Sequence, residues 1–285
     1  MITMENVCKS YRIAKRNAGL AEACRALFHR EYEEIHALKN VSFTIQDGEM
    51  VGYIGPNGAG KSSTIKILSG ILTPDSGQVT VDGRLLWNSG GERPQGKRLP
   101  GRKPLTKQGR CSRIEHVRRI GVVFGQRSQL WWDVPVIDSF ELLKDIYSIS
   151  KPVYRNNLEE LTELLNLGEL LRTPTRQLSL GQRMRCEIAA SLLHSPKILF
   201  LDEPTIGLDA VSKLAVRDFV KQLNQKHGTT VILTTHDMQD IEALASRILL
   251  IGKGQILMDG TLEDIRHGGE NMDETLAELY RTYEI

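Results

Sequence analysis

The sequence predicts an α/β domain in stacked layers, with a largely parallel sheet and an inserted helical subdomain. Three observations carry that reading. Short β-branched and apolar runs recur along the chain: "NVSFTI" (40–45), "EMVGYI" (49–54), "IGVVF" (120–124), "KILFL" (197–201), "TTVILTT" (229–235) and "RILLI" (247–251). They alternate with helical patterns, as a parallel sheet and its crossovers require. Between "IGVVF" and "KILFL", residues 127–195 show helical periodicity at Leu161, Leu164, Leu165 and then Ile188, Leu192, Leu193, with no convincing strand. Finally, 285 residues can bury a large core without a metal or disulfides.

Along the chain, the start "MITMENVCKSYRIAKRN" lacks the apolar core of a leader, and no apolar run approaches the roughly 18–20 residues of a spanning helix. Work at a membrane therefore requires another anchor. Cys8, Cys24, Cys111 and Cys186 stand far apart with no CxxC pair, the usage of reduced thiols. The 37 basic and 35 acidic residues nearly cancel, so any contact with nucleic acid or lipid is local.

Two segments read as additions. Residues 12–36 mix basic residues with the helix-spaced set Leu20, Cys24, Leu27 and Phe28, which suits packing on the same domain or a partner or membrane surface. Residues 88–114 hold five glycines, three prolines and eight Lys/Arg against one Glu, a composition that cannot bury a core and predicts a flexible loop. A solvated insertion and a contact to anionic lipid or nucleic acid both fit it. The end of the chain, 266–285, reads as an amphipathic helical tail.

Gly55 to Ser62 fits GxxxxGK[ST], with a strand before it and a helix after it, the context in which that pattern has meaning. Glycines let the backbone wrap with N–H groups turned toward phosphate oxygens, and the helix start adds the positive end of its dipole. The expected nucleotide-binding residues are Gly55, Pro56, Asn57, Gly58, Ala59, Gly60, Lys61, Ser62 and Ser63. Lys61 neutralises the β and γ phosphates, and the Ser62 hydroxyl ligates Mg²⁺. The loop is thus expected to hold a nucleoside triphosphate. "ILFLDEP" (198–204) is an apolar strand ending in two carboxylates. Asp202 is placed to hold the metal's water shell, and Glu203 to polarise an attacking water.

Between those motifs lies "LSLGQRMRCEIAASLLHSP" (178–196), directly before "KILFLDEPTIGLD", and "TTHDM" follows at 234–238. This ordered set resembles the ATP-binding cassette of ABC transporters over residues 2–265. The resemblance implies an α/β P-loop NTPase with a layered mixed sheet, an ATP-binding domain over 1–265 containing the helical subdomain 127–195, and ATP hydrolysis with ATP and Mg²⁺ as cofactors. It implies that two cassettes, here two copies of one chain, close head to tail, so that Ser179, Gly181 and Gln182 of one copy face the γ-phosphate held by the other. It further implies His236 at the γ-phosphate, Asp209 at the dimer seam, Gln126 reaching Mg²⁺ and hinging the helical subdomain, and Tyr11, closing the first strand, stacked on adenine. The family's LSGGQ is LSLGQ here, and Leu180 keeps the backbone N–H in place if its φ is negative.

The same resemblance implies separate membrane subunits and a peripheral position on the cytoplasmic face of the membrane. It resembles most the bacterial export systems. Trp131 and Trp132 follow Gln126 where such subunits dock, and serve either that groove or the core of the helical subdomain. A soluble ATPase acting on ribosomes or nucleic acid is the alternative; the chain lacks the paired cassettes, coiled coils and zinc motifs of those relatives, so no specific nucleic acid is expected.

Overall fold

The computed structural model describes residues 1–14, 32–89, 113–125, 127–266 and 280–282. Two sheets form its frame. Strands β1 (Ile2–Ala14), β2 (Tyr32–Ile45), β4 (Ser76–Val81) and β5 (Arg84–Ser89) make an antiparallel sheet in the order β2-β1-β4-β5. Strands β3 (Met50–Ile54), β6 (Ile120–Phe124), β7 (Ile198–Asp202), β8 (Thr230–Thr234), β9 (Arg247–Gly252) and β10 (Gln255–Gly260) make a second sheet in the order β10-β9-β3-β8-β7-β6. Its strands run parallel except β10, which returns beside β9 through Lys253 and Gly254, both at positive φ. Two such residues form the turn whose twist suits a hairpin.

The central strands are near-continuous apolar runs because both their faces are covered. Ile198 and Phe200 of β7 turn toward the antiparallel sheet and helix α1 (Lys61–Leu68), packing with Ile65, Ile67 and Tyr53. Leu199 and Leu201 turn the other way, into a core with the remaining helices. That second face is built from α3 (Val136–Tyr147), α4 (Lys151–Leu164), α5 (Leu180–Leu192), α6 (Ala210–His227) and α7 (Met238–Leu244). Two short α-helices, α2 (Arg113–Val117) and α8 (Leu262–Arg266), and two single turns of 3-10 helix, Leu170–Arg172 and Thr175–Gln177, are also present. Among the described residues between β6 and β7 there is no strand, only isolated bridges such as Pro135 with Pro174.

Phe124, Asp202 and Thr234 stand side by side in register, so the parallel strands end along one edge. The loops leaving that edge carry the residues singled out above, the usual place for ligands in an open α/β sheet.

One boundary differs from expectation. Tyr11 does not close the first strand: pairing with β2 continues through Arg12 with Glu34, Ile13 with Glu33 and Ala14 with Tyr32. The two ends of the segment 12–36 are therefore strand, because each edge satisfies the other's backbone groups. Leu20, Cys24, Leu27 and Phe28, Gln126, residues 90–112 of the basic segment and most of the C-terminal tail lie outside the described residues.

Candidate functional site

Helix α1 starts at Lys61, behind Gly60 at φ 115°, with Gly58 at φ 82°. These values lie in the left-handed region open to glycine. Packing adds a second constraint: a Cβ at Gly60 would fall 2.6 Å from the Ala37 carbonyl oxygen, and one at Gly55 would fall 2.1 Å from that of Ile251. The loop is thus pressed against β2 and β9, while a Cβ at Gly58 would meet nothing within 4 Å. Lys61 is 7% exposed, and its Nζ donates to the carbonyls of Gly55 (2.6 Å) and Pro56 (3.1 Å), which hold the ammonium under the loop. Burial lowers the Lys61 pKa, and the carboxylates of Glu203 and Asp202 oppose that shift.

Asp202 ends β7 with its Oδ1 accepting from the Thr234 hydroxyl (2.6 Å) and from Ser62 Oγ (3.4 Å). A hydroxyl and a carboxylate at this separation are the hard oxygen donors Mg²⁺ takes. Glu203, the next residue, adopts φ 56°, left-handed backbone that costs a non-glycine residue roughly 1–3 kcal/mol. Its N–H is held by the Thr234 carbonyl (2.9 Å) and hydroxyl (3.2 Å). That turn carries the carboxylate off the strand line to within 3.2 Å of His236 Nδ1. Glu203 is one-fifth exposed and His236 about half, so the pair opens to solvent on one side.

Tyr11 reaches the same place: its hydroxyl lies 3.3 Å from Ser63 Oγ, and Lys9 Nζ sits 5.8 Å from its ring centre while pairing with Asp75. The structure therefore brings Tyr11, Gly55 to Ser63, Asp202, Glu203 and His236 together. Gly125 lies against this group, since a Cβ there would fall 2.3 Å from the Glu203 carbonyl oxygen, and its N–H donates to Asp202 O (2.8 Å).

Ser179, Gly181 and Gln182 sit elsewhere, at the start of α5. Ser179 caps the helix and exchanges bonds with Gln182: Ser179 N–H to Gln182 Oε1 (2.9 Å) and Gln182 N–H to Ser179 Oγ (3.2 Å). Gly181 is buried against Ser212 of α6. Asp209 caps α6 through Ser212, whose backbone N–H and then hydroxyl hold its pKa below the usual carboxylate range. Leu180 is not among the residues of positive φ and stands in the first turn of α5, so it carries no backbone strain. Trp131 and Trp132 are 59% and 52% exposed, which removes them from the core.

The sequence reading missed the residues that fix these groups: Thr234 under Asp202 and Glu203, Ser212 under Asp209, and a buried cluster of Thr205, Thr235, Arg217 and Asp240. The run "TTHD" held the one available signal, hydroxyls beside a histidine at a strand end.

Comparison with known proteins gives a consistent picture. The family model described as "ABC transporter" matches residues 38–206. The linearmycin resistance ATP-binding protein LnrL of Bacillus subtilis is 32% identical over 85% of this chain and 71% of its own length. The daunorubicin resistance ATP-binding protein DrrA3 of Streptomyces coeruleorubidus is 32% identical over 87% and 72%. Among solved structures, the dimeric post-hydrolysis state of the ATP-binding cassette MJ0796 bound to ADP and Pi superposes with a TM-score of 0.68 at 27% identity, covering 92% of this chain and 99% of that one.

Proposed function

The chain belongs to the ABC transporter family as an ATP-hydrolysing subunit, and we propose that it drives export through separate membrane subunits by closing against a second copy of itself around ATP. The observation that carries the catalytic part is the Glu203–His236 pair, set beside Asp202 and Ser62 at the sheet edge that also bears the phosphate loop.

In this reading Gly55 to Ser63 cradle the phosphates, Lys61 turns from loop carbonyls to phosphate oxygens, and Tyr11 stacks on adenine. Ser62 and Asp202, with Gln126, would hold Mg²⁺, which neutralises charge on the phosphates when bound. Glu203 orients and polarises the attacking water, and His236 holds the position of the γ-phosphate. Ser179, Gly181 and Gln182 meet the phosphates of the second copy, where the positive end of α5 favours negative charge; Asp209 lies at the seam. The dimeric state of MJ0796 supports that geometry. Residues 1–265 form the ATP-binding domain, and 127–195 its helical subdomain.

The exposed Trp131 and Trp132 supply an apolar surface for the membrane subunits, and the described residues contain no helix able to cross a membrane, which fits a peripheral place on its cytoplasmic face. The resistance functions in the names of LnrL and DrrA3 support export.

The test is ATPase activity of the purified chain and of Glu203→Gln, alone and with vesicles carrying the candidate membrane subunits. Glu203→Gln is expected to bind ATP as the parent does while turnover falls at least about a hundredfold; parental turnover sinks the assignment. Stimulation by vesicles supports the membrane partnership, and uptake against efflux of the transported solute decides direction.

A further inference from the structure

Behind the site lies an ion pair sealed from water. Arg217 Nε on α6 donates to Asp240 Oδ1 on α7 at 2.6 Å, with side chains 9% and 0% exposed. Removing two charges from water is costly, and an apolar pair of similar volume is often as stable. Its use is visible in what else the carboxylate holds. Asp240 Oδ2 accepts the hydroxyls of Thr205 and of Thr235, the latter at 3.1 Å. Thr205 lies two residues after Glu203, and Thr235 directly precedes His236.

The far side of His236 is tied to the same cations. Asp237 pairs with Lys213 Nζ (2.5 Å), lies 3.4 Å from Arg217 Nη2, and donates its N–H to Thr235 Oγ1 (3.0 Å). Lys213 and Arg217 stand one turn apart on α6, the helix that Asp209 caps. A single buried carboxylate therefore grips the loops bearing both members of the Glu203–His236 pair, and a single helix supplies the cations.

We infer that the Arg217–Asp240 pair is a positioning device for hydrolysis: it fixes the Glu203 and His236 loops relative to each other and couples both to the helix that begins at Asp209. The inference rests on reading Glu203 and His236 as the hydrolytic pair. Thr205, Thr235, Arg217 and Asp240 are all buried; they act through the loops they hold.

The experiment is single- and multiple-turnover ATPase on the full chain carrying Thr205→Val or Thr235→Val, which keep side-chain shape and remove one hydroxyl each. Each is expected to lower kcat about tenfold, the worth of a hydrogen bond to a carboxylate, with KM for ATP changed less than about twofold. Thr205→Ser and Thr235→Ser keep the hydroxyl and retain kcat. Because Thr235 works through His236, Thr235→Val adds no loss in a His236→Ala background. Parental kcat in the valine variants, serine variants as impaired as the valines, or an undiminished loss in the His236→Ala background each overturns the inference. Parental turnover in Glu203→Gln and His236→Ala defeats the underlying reading instead, whatever the threonine variants do.

Discussion

Gly181→Ala tests how closely the starts of α5 and α6 are joined. The Cβ it adds falls 2.2 Å from Ser212 Oγ and 2.8 Å from Ser212 Cβ. A rotation of Ser212 relieves only the first contact, and it breaks the 2.8 Å bond from its hydroxyl to Asp209 Oδ2. The second contact requires the backbone of α6 to move. The bond to the exposed Asp209 carboxylate adds little, whereas crowding of this kind costs about 1–3 kcal/mol. Replacing a helical glycine returns up to ~1 kcal/mol. The net loss is ~1 kcal/mol, which in a chain of this size lowers the melting temperature by about 2 °C. Circular dichroism melts of the parent, Gly181→Ala, Ser212→Gly and the double variant read it out. Ser212→Gly removes both clashing atoms, so the alanine should cost much less in that background, the difference being the coupling energy. Equal cost in both backgrounds refutes the packing argument.

Two further outcomes follow from the core and from a buried histidine. Phe140 of α3 is fully buried in the helical-side core, so Phe140→Ala should destabilise by about 3–5 kcal/mol in urea melts; a loss below about 1 kcal/mol would show that the core closes over the gap. His194 stacks on Tyr147 with ring centres 4.0 Å apart, donates from Nε2 to the Ile120 carbonyl (2.9 Å) and leaves Nδ1 buried with no partner among the described residues, and burial lowers its pKa from 6.5 to about 4. As pH falls the unfolded chain takes up the proton first, so this contribution is complete above about pH 6.5 and lost toward pH 4. His194→Phe, which keeps a ring against Tyr147, should flatten that part of the pH dependence, whereas His116, shifted downward by burial in the same direction, stays in both proteins and cancels. A slope equal to the parent's would remove His194 from the account.

Most strands legible in the sequence have both faces covered, such as Ile198–Asp202 and Thr230–Thr234, because a continuous apolar run has few other meanings; β2 is legible instead by the alternation of Val41, Phe43 and Ile45. Strands β4, β5 and β10 carry no such run. Their residues are mostly half-buried, and the turns at Asp82–Gly83 and Lys253–Gly254 that announce their hairpins depend on residues at positive φ. The phosphate loop and the Asp-Glu strand end were readable because their spacing is local. Arg217 and Asp240 were not: a charged residue on a helix reads as solvated unless its partner, here 23 positions away and on another helix, is known. Trp131 and Trp132 show the reverse limit, since aromatic residues suit a core and an interface equally until exposure separates them.

Leu180 marks the point where family pattern and local physics part. A glycine there suggests a backbone that needs freedom, yet Leu180 adopts ordinary helical geometry, and its N–H stays at the open end of α5. Its side chain has a task of its own: Cδ2 lies 3.0 Å from where a Cβ on Gly207 would stand, so the leucine covers the turn leading to Asp209. Gly207, at φ 71°, is open to that contact because it has no side chain; a Cβ there would be strained and would crowd Leu180. Leu180 on Gly207, Gly181 on Ser212 and Ser212 on Asp209 then join the starts of α5 and α6 into one unit. The two segments assigned to the dimer seam are thereby in contact within one chain, and α6, which starts at one of them, also carries Arg217 of the pair with Asp240.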